Sequence, residues 1–515
     1  MRILFILILF FTNALFAQSP DILLKWAKPE PYPSITAPSK IIYSNDQNML
    51  VYKPANTLQS CRAEWLSKSN MLTTKQITAS QMGVTAGDII IDGLADENHF
   101  QQIFAKQDKK MITVYGSVYS FKDGKLLVQP KQLDQIKKKK KEIFEMVYVK
   151  QSASNQFTGL LSKIEEQAYV FAYRYKAFDI KLNEIASIEF PKPLADYLFE
   201  FKKFVVDEAG NGYLYVKEKK NPNVDANIPR IFFFSIADKS FNEITLPANL
   251  PFMDDFIFQT DKDGNMEIIG NYSKTEKKTD FFGGIFYLNV KKGTNQITET
   301  LTYPFVNSQM TTLPKKEFNP EKGLMYEYRL IGCMPASDGG KTFVMENKFT
   351  NINAGYYINN FNILVMRANK TGQFLWASNV YKKQYQILSP TLGYYYFLWK
   401  KNPPFNIYEE QICSFACLYK GNDVFLLYVD NATNLGNNLK ELKDMEPYNT
   451  NENACFVAKV NKDGAVSKNI LYPLKSEIFR PAFTGQVSIG KELLISSFDI
   501  DSKEPAYKLG LFQPR

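Results

Sequence analysis

The chain predicts an all-β repeat fold, and three observations carry that expectation. Short apolar and aromatic runs recur along its whole length. Polar turns containing Gly join them in pairs, and groups of about four such runs follow one another at intervals of roughly 45 to 80 residues. The clearest copy is residues 360–384. There the apolar run through Ile363, Leu364, Val365 and Met366 stops at Asn369-Lys370-Thr371-Gly372, and a second run resumes through Phe374, Trp376 and Val380. Gly372 supplies the positive φ that a tight turn needs, so the stretch reads as strand, turn, strand.

Four antiparallel strands per repeat are the content of a β-propeller blade, which buries both faces only when neighbours stack on it. The expected architecture is therefore a single seven- or eight-bladed β-propeller of four-stranded antiparallel blades. The last unit, Phe483 to Gln513, shows only three strands. An N-terminal strand, Ile22 to Trp26 or Ile41 to Tyr43, would complete it, close the ring and remove exposed edges. Two or three β-sandwich domains are the competing fold, favoured by the uneven repeat lengths.

In chain order, residues 1–17 read as a secretory signal peptide. One Arg precedes an apolar run from Ile3 to Phe11, and after Asn13-Ala14-Leu15-Phe16 the small residue Ala17 stands before the polar stretch Gln18-Ser19-Pro20, although Leu15 is a less usual occupant of its position. The run is short of the roughly 20 residues a membrane-spanning helix needs, and no later stretch qualifies. Residues 18–515 then form the propeller, opening with a proline-spaced segment at Pro29, Pro31, Pro33 and Pro38. Repeat units follow at 40–77, 88–128 and 144–190. Between the last two, Gln132 to Met146 is expected as a helix with Leu133, Ile136, Ile143 and Phe144 inward and Lys137 to Lys141 outward. From Phe201 onward the repeats are plainer, with turns at 207–211, 261–265, 369–372 and 461–464. Long insertions interrupt them near 385–412 and 431–453, the second expected as a surface loop.

The turns carry a resemblance. Asn369-Lys370-Thr371-Gly372-Gln373-Phe374-Leu375-Trp376 resembles the strand, Gly turn and Trp of quinoprotein-type propeller repeats. Asn461-Lys462-Asp463-Gly464 and Asp261-Lys262-Asp263-Gly264-Asn265 are similar to blade turns of secreted, uncharacterised β-propeller-like proteins of the kind common in Bacteroidetes. The likeness covers about the C-terminal three fifths of the chain. One copy alone carries the Trp, at Trp376, so the resemblance implies a fold and not a quinone; no cofactor is expected.

Composition excludes several functions. A net charge of +9 over 515 residues, part of it in the run Lys137 to Lys141, is too small and too localised for a nucleic-acid partner. A single histidine, His99, in a polar context without a nucleophile motif, leaves no Ser-His-Asp triad elsewhere and no multi-histidine metal site. The five cysteines, Cys61, Cys333, Cys413, Cys417 and Cys455, are expected mainly as buried thiols. A pair of carboxylates is all a glycosidase needs. Asp254, Asp255, Asp261 and Asp263 are the candidates, against the plainer reading that they are turn residues.

The most unusual composition is the aromatic run at 393–405, with Tyr394, Tyr395, Tyr396, Phe397 and Trp399 ahead of lysines and prolines. Flat rings of this kind form a platform for a sugar or a peptide, and packing onto a neighbouring blade is the alternative. The reading that follows is an exported, monomeric, non-catalytic binding protein of the periplasm or extracellular space, with a protein or glycan partner. A carbohydrate-active hydrolase using two carboxylates and a structural envelope component are the alternatives.

Overall fold

The computed structural model describes residues 22–514 except 32–39, 54–61, 79–80, 83, 86–87, 138–145, 168–169, 191–193, 196–197, 222–227, 249–251, 275–280, 307, 311–312, 352–355, 389–413, 437–440, 446–450, 476–479, 483–485, 490–491 and 500–505. The fold is all-β, a β-propeller of four-stranded antiparallel blades. Nearly every blade is a meander of consecutive strands, the order of propeller blades and not the Greek-key wiring of sandwiches.

Two compact units divide the chain. One comprises Lys40–Leu66 and Thr73–Tyr303, and the other Met1–Ser39, Ser67–Leu72 and Pro304–Arg515. The first unit opens with the sheet Lys40–Ser44, Asn48–Lys53, Arg62–Ser67 and Thr73–Thr78, followed by Ile89–Ala95, His99–Gln107, Met111–Ser120 and Leu126–Lys137. Three more sheets begin at Val147–Gln151, Phe199–Val206 and Phe252–Thr260. In the second unit one sheet runs Tyr328–Pro335, Lys341–Asn351, Tyr356–Ala368 and Phe374–Val380, with Gln384–Leu388 added to its third strand. The next runs Phe415–Lys420, Asp423–Asn431, Asn453–Val460 and Val466–Pro473.

One turn chemistry repeats and explains why these hairpins form. In 207–211, the Asp207 amide donates to Asn211 O and the Gly210 amide returns to Asp207 O, at 3.0 and 3.1 Å. The Asp207 carboxylate then accepts from the amides of Ala209 and Asn211, at 2.9 and 2.8 Å. Asp261, Asn369 and Asn461 cap their own turns in the same pattern, as does Asp179. The fourth residue is Gly at φ +82, +81, +89 and +84° in residues 210, 264, 372 and 464, a region that costs other residues strain. Leu182 takes that place in the Asp179 turn at φ 59°. An Asn at the fifth position extends the tie to the next strand: Asn211 Oδ1 accepts from Ile236 N and Asn265 Oδ1 from Lys292 N.

Packing follows strand position. Central strands such as Gly284–Val290 are buried at every residue, because both faces meet neighbouring apolar residues. Fourth strands such as Thr73–Thr78 and Ile297–Pro304 are largely exposed and accordingly polar. Each fully buried Leu, Ile, Val or Phe contributes about 1.5–3 kcal/mol, so the central strands hold most of the stability.

The last sheet is completed from the N-terminal side. Ile22–Trp26 pairs antiparallel with Ala506–Pro514, from Ile22 opposite Pro514 to Trp26 opposite Gly510. A side chain at Gly510 would force the Trp26 ring to shift, since a Cβ there would lie 2.5 Å from it. Lys508 Nζ lies 4.1 Å from the centre of that ring.

Four expectations are corrected. The described residues form nine sheets and not seven or eight; the small extra one includes Phe318–Asn319 and Gly323–Met325, strands too short to show a period. Ile41 to Tyr43 lies within the strand Lys40–Ser44 of its own sheet, so Ile22–Trp26 is the completing strand. Gln132 to Lys137 belongs to the strand Leu126–Lys137; Leu133 and Ile136 are inward as expected, but register shifts in this edge strand produce their helix-like spacing. Finally, the run Phe483 to Ile489 does not supply the last sheet. Its residues Gln486–Ile489 pair parallel with Phe415–Lys420, and Arg480–Ala482 takes the place in the last sheet. Residues 1–17 and Lys138 to Lys141 lie outside the described residues.

Candidate functional site

The aromatic candidates Tyr394, Tyr395, Tyr396, Phe397 and Trp399 lie outside the described residues. The remaining sequence candidates do not come together. Asp254 is buried in its strand and ion-paired to Lys217. Asp261 is a turn cap: desolvation, which alone would raise its pKa, is outweighed by hydrogen bonds from Asn265 and Asn289, and the carboxyl sits below its ordinary value. Asp263 is an exposed residue of the same turn, and Asp255 lies in the strand Phe252–Thr260. His99 Nδ1 lies 3.1 Å from both oxygens of Asp96, whose Oδ1 also accepts the amides of Asn98 and His99 at the hairpin. Cys333, Cys417 and Cys455 are buried. Desolvation pushes the Cys455 thiol up to about 12 and raises Cys417 as well, which suppresses thiolate chemistry at both. Cys61 and Cys413 lie outside the described residues. Among the described residues no three His, Cys, Asp or Glu side chains group as a metal site.

What the second unit does bring together is the roots of the two insertions. The strand Gln384–Leu388 leads into the first insertion, and Ser414 ends it. The second leaves from Asn431 and returns at Asn453. Gln384 Nε2 joins these roots by donating to Val429 O at 2.6 Å and to Ser414 O at 3.3 Å. Met445 N donates to Lys383 O at 2.8 Å, continuing a parallel bridge between Gln384 and Met445. At the rim, Lys383 Nζ pairs with Asp444 at 3.1 Å.

Beneath the roots lies a polar core. Glu346 and Lys382, with side chains 1% and 0% exposed, form an ion pair at 2.7 Å, and Lys382 also donates to Gln384 Oε1 at 2.6 Å. Asp430 is the penultimate residue of the buried strand Asp423–Asn431. Its Oδ1 accepts from Asn431 N, Asn434 Nδ2 and Lys383 N, at 2.9, 3.0 and 3.4 Å, while Oδ2 has no hydrogen-bond partner among the described residues. Burial raises this carboxyl to about 6, hydrogen bonds from Asn431 and Asn434 and the charge of Lys468 only partly opposing it. Lys468 in turn is lowered by desolvation, against the pull of Asp430. Its ammonium donates to Tyr381 O and Asn434 O.

The second insertion is thus more than a surface loop at its base. Asn431 caps the 3-10 turn Ala432–Leu435, and Asn434 exchanges hydrogen bonds with the backbone of Lys443. Leu442 and Met445 point into the protein while Thr433, Leu435, Glu441, Lys443 and Asp444 face outward. Asp430 is fully buried, so it anchors and does not meet a ligand. The sequence reading missed Asp430, Lys382, Gln384 and Glu346. One signal was present: the apolar run Val424 to Val429 ends abruptly on an acid.

No family model matches the chain, and no curated protein matches its sequence. Solved structures that resemble it include peptidases, a polysaccharide lyase and a β-propeller domain. Prolyl oligopeptidase B from Galerina marginata is similar at 7% identity and TM-score 0.40, over 95% of this chain and 57% of that one. The polysaccharide lyase Uly1 is similar at 10% identity and TM-score 0.35, over 83% and 90% of the two chains. The β-propeller domain of the Trilobed protease from Pyrococcus furiosus is similar at 9% identity and TM-score 0.26, over 59% and 96%. The chain spans 57% of the length of the prolyl peptidases it resembles. With identities and TM-scores this low, nothing about this chain is carried over from them.

Proposed function

We propose that the protein is an exported β-propeller that binds a ligand or partner without catalysis, through a surface built from the insertions near 385–412 and 431–453. The observation that carries this reading is the common root of the two insertions. Gln384, Lys383 and Asp430 fasten both to one buried polar core, a costly arrangement for loops that only connect strands. Tyr394, Tyr395, Tyr396, Phe397 and Trp399 supply the contact area on this reading, and the outward residues of 431–445 the polar rim. The occupant is a glycan or a protein of the periplasm or extracellular space, met by a monomer whose signal peptide, residues 1–17, has been removed. No described helix is long and apolar enough to cross a membrane. The carbohydrate-hydrolase alternative loses its simplest acidic pair to the Asp254–Lys217 ion pair.

The test is a thermal-shift panel of glycans, cell-wall fragments and peptides on the chain from Gln18, with turnover measured for every compound that stabilises. Binding without turnover that is lost in Trp399→Ala, at unchanged melting temperature, supports the proposal. Cleavage of a bound compound, or binding indifferent to both insertions, overturns it.

A further inference from the structure

One buried carboxylate of the second unit lacks a counter-charge. Glu346 has Lys382, whereas Glu317, 5% exposed, has no basic partner among the described residues. Its Oε2 accepts from the Tyr328 hydroxyl at 2.7 Å and from Asn362 Nδ2 at 3.1 Å. Asn347 stands directly opposite Tyr328 where Tyr328–Pro335 pairs with Lys341–Asn351. The backbone brings Asn347 and Asn362 to the same place. Between the pairs Glu346–Ile363 and Lys348–Asn360, Asn347 is alone on its strand while Phe361 and Asn362 both lie opposite it. That is a β-bulge, a device that re-aims a side chain out of the regular register.

Tyr328, Asn347 and Asn362 are buried at least as deeply as Glu317. Even so, Asn347 Oδ1 and Asn362 Oδ1 have no hydrogen-bond partner among the described residues. Because Asn362 Nδ2 is committed to Glu317, the carbonyl oxygen of that amide stands beside the same carboxylate. Burial and the charge of Glu317 raise the Tyr328 hydroxyl well above its ordinary value, with Asn362 and Asn347 opposing, so the phenol stays protonated and donates. A buried carboxylate without a counter-charge is costly, and so is a buried carbonyl without a donor. Donors alone would satisfy the two carbonyls and leave the charge; one positive ion satisfies all three groups. Carboxylate and amide oxygens are the ligands that hard cations take.

We propose that Glu317, Asn347 and Asn362 bind a hard cation, one of sodium, potassium, magnesium or calcium, through their side-chain oxygens. With one acid and two amides, the site is not a cluster of acids, histidines or cysteines. It does not use the inserted loops, so failure of the loop reading leaves it standing.

The experiment is thermal unfolding of the full chain in the chlorides of the four cations, against tetramethylammonium chloride at equal ionic strength, that ion being too bulky to be liganded. At least one cation is expected to raise the melting temperature by roughly 3 °C or more, saturably. Whichever does so at the lowest concentration names the ion, and titration calorimetry with it measures the binding. Glu317→Gln keeps the shape and an acceptor for Tyr328 and Asn362, and it should abolish both the shift and the heat. Asn347→Asp adds a second carboxylate and should tighten calcium binding by about ten-fold or more. A parent indifferent to all four cations, as a buried water in their place would leave it, overturns the proposal. So does a response undiminished in Glu317→Gln. Should Glu317→Gln fail to fold, unchanged calcium binding in Asn347→Asp overturns it alone.

Discussion

Lys382→Met is the sharpest test of the core beneath the insertions. The substitution keeps the stem and removes the ammonium, leaving Glu346, 1% exposed, without its ion pair. Among the described residues, only Ser414 Oγ, at 3.5 Å from the other carboxylate oxygen, then remains as a hydrogen-bond partner, a contact too long to compensate. Breaking a buried pair from one side costs about 3–5 kcal/mol, because the surviving charge stays desolvated. With roughly a factor of ten for each 1.4 kcal/mol, amides of Lys341–Asn351 and Phe415–Lys420 that exchange through local opening should exchange about two to four orders of magnitude faster. Hydrogen exchange read by NMR or mass spectrometry checks this. The double variant Glu346→Leu with Lys382→Met replaces both charges and should recover most of the loss. Exchange in Lys382→Met within a factor of ten of the parent, or a double variant no better than the single, would refute the reasoning.

Three further outcomes follow from the same geometry. Asp430 has its carboxyl raised to about 6 from an ordinary 3.8, so its contribution to stability is full below about 3.8 and is lost as pH rises through about 6. The urea stability of the parent relative to Asp430→Asn should therefore increase by roughly 3 kcal/mol between pH 7.5 and 3.5, and a flat difference would contradict it. Gly464→Ala and Gly293→Ala both place a side chain at positive φ, but only at residue 464 would the Cβ meet a ring, 2.8 Å from Trp376. Denaturant titration should show Gly464→Ala as the costlier by about 1 kcal/mol or more. Trp26→Ala should destabilise the sheet of Ala506–Pro514 by about 2 kcal/mol, less than the 3–5 of a fully buried Trp, and speed proteolysis there before elsewhere.

The hairpins were legible because their chemistry is local. Asp207, Asp261, Asn369 and Asn461 each announce a turn with a Gly three residues on, and each caps its turn as expected. The completing strand Ile22–Trp26 was legible as a deficit, since the last repeat lacked a strand. Phe318–Asn319 and Gly323–Met325 escaped because two or three residues carry no period. The helix expected at Gln132 failed because shifted register in Leu126–Lys137 imitates helical spacing. The polar core was the least legible. Glu346, Lys382, Asp430 and Lys468 are scattered along the chain and look like ordinary surface charges until tertiary pairing buries them.

The pairing of Ile22 with Pro514 also has a meaning in time. A ribosome adding roughly 5–20 residues per second needs about half a minute to a minute and a half to travel between the two. Throughout that interval the strand made first, with Ile22, Leu24 and Trp26, has no partner to pair with. The sheet it completes therefore cannot assemble during synthesis, however fast its neighbours fold. Its formation waits for the last strand, and until then those three side chains are a sticky segment that something else must keep from pairing wrongly.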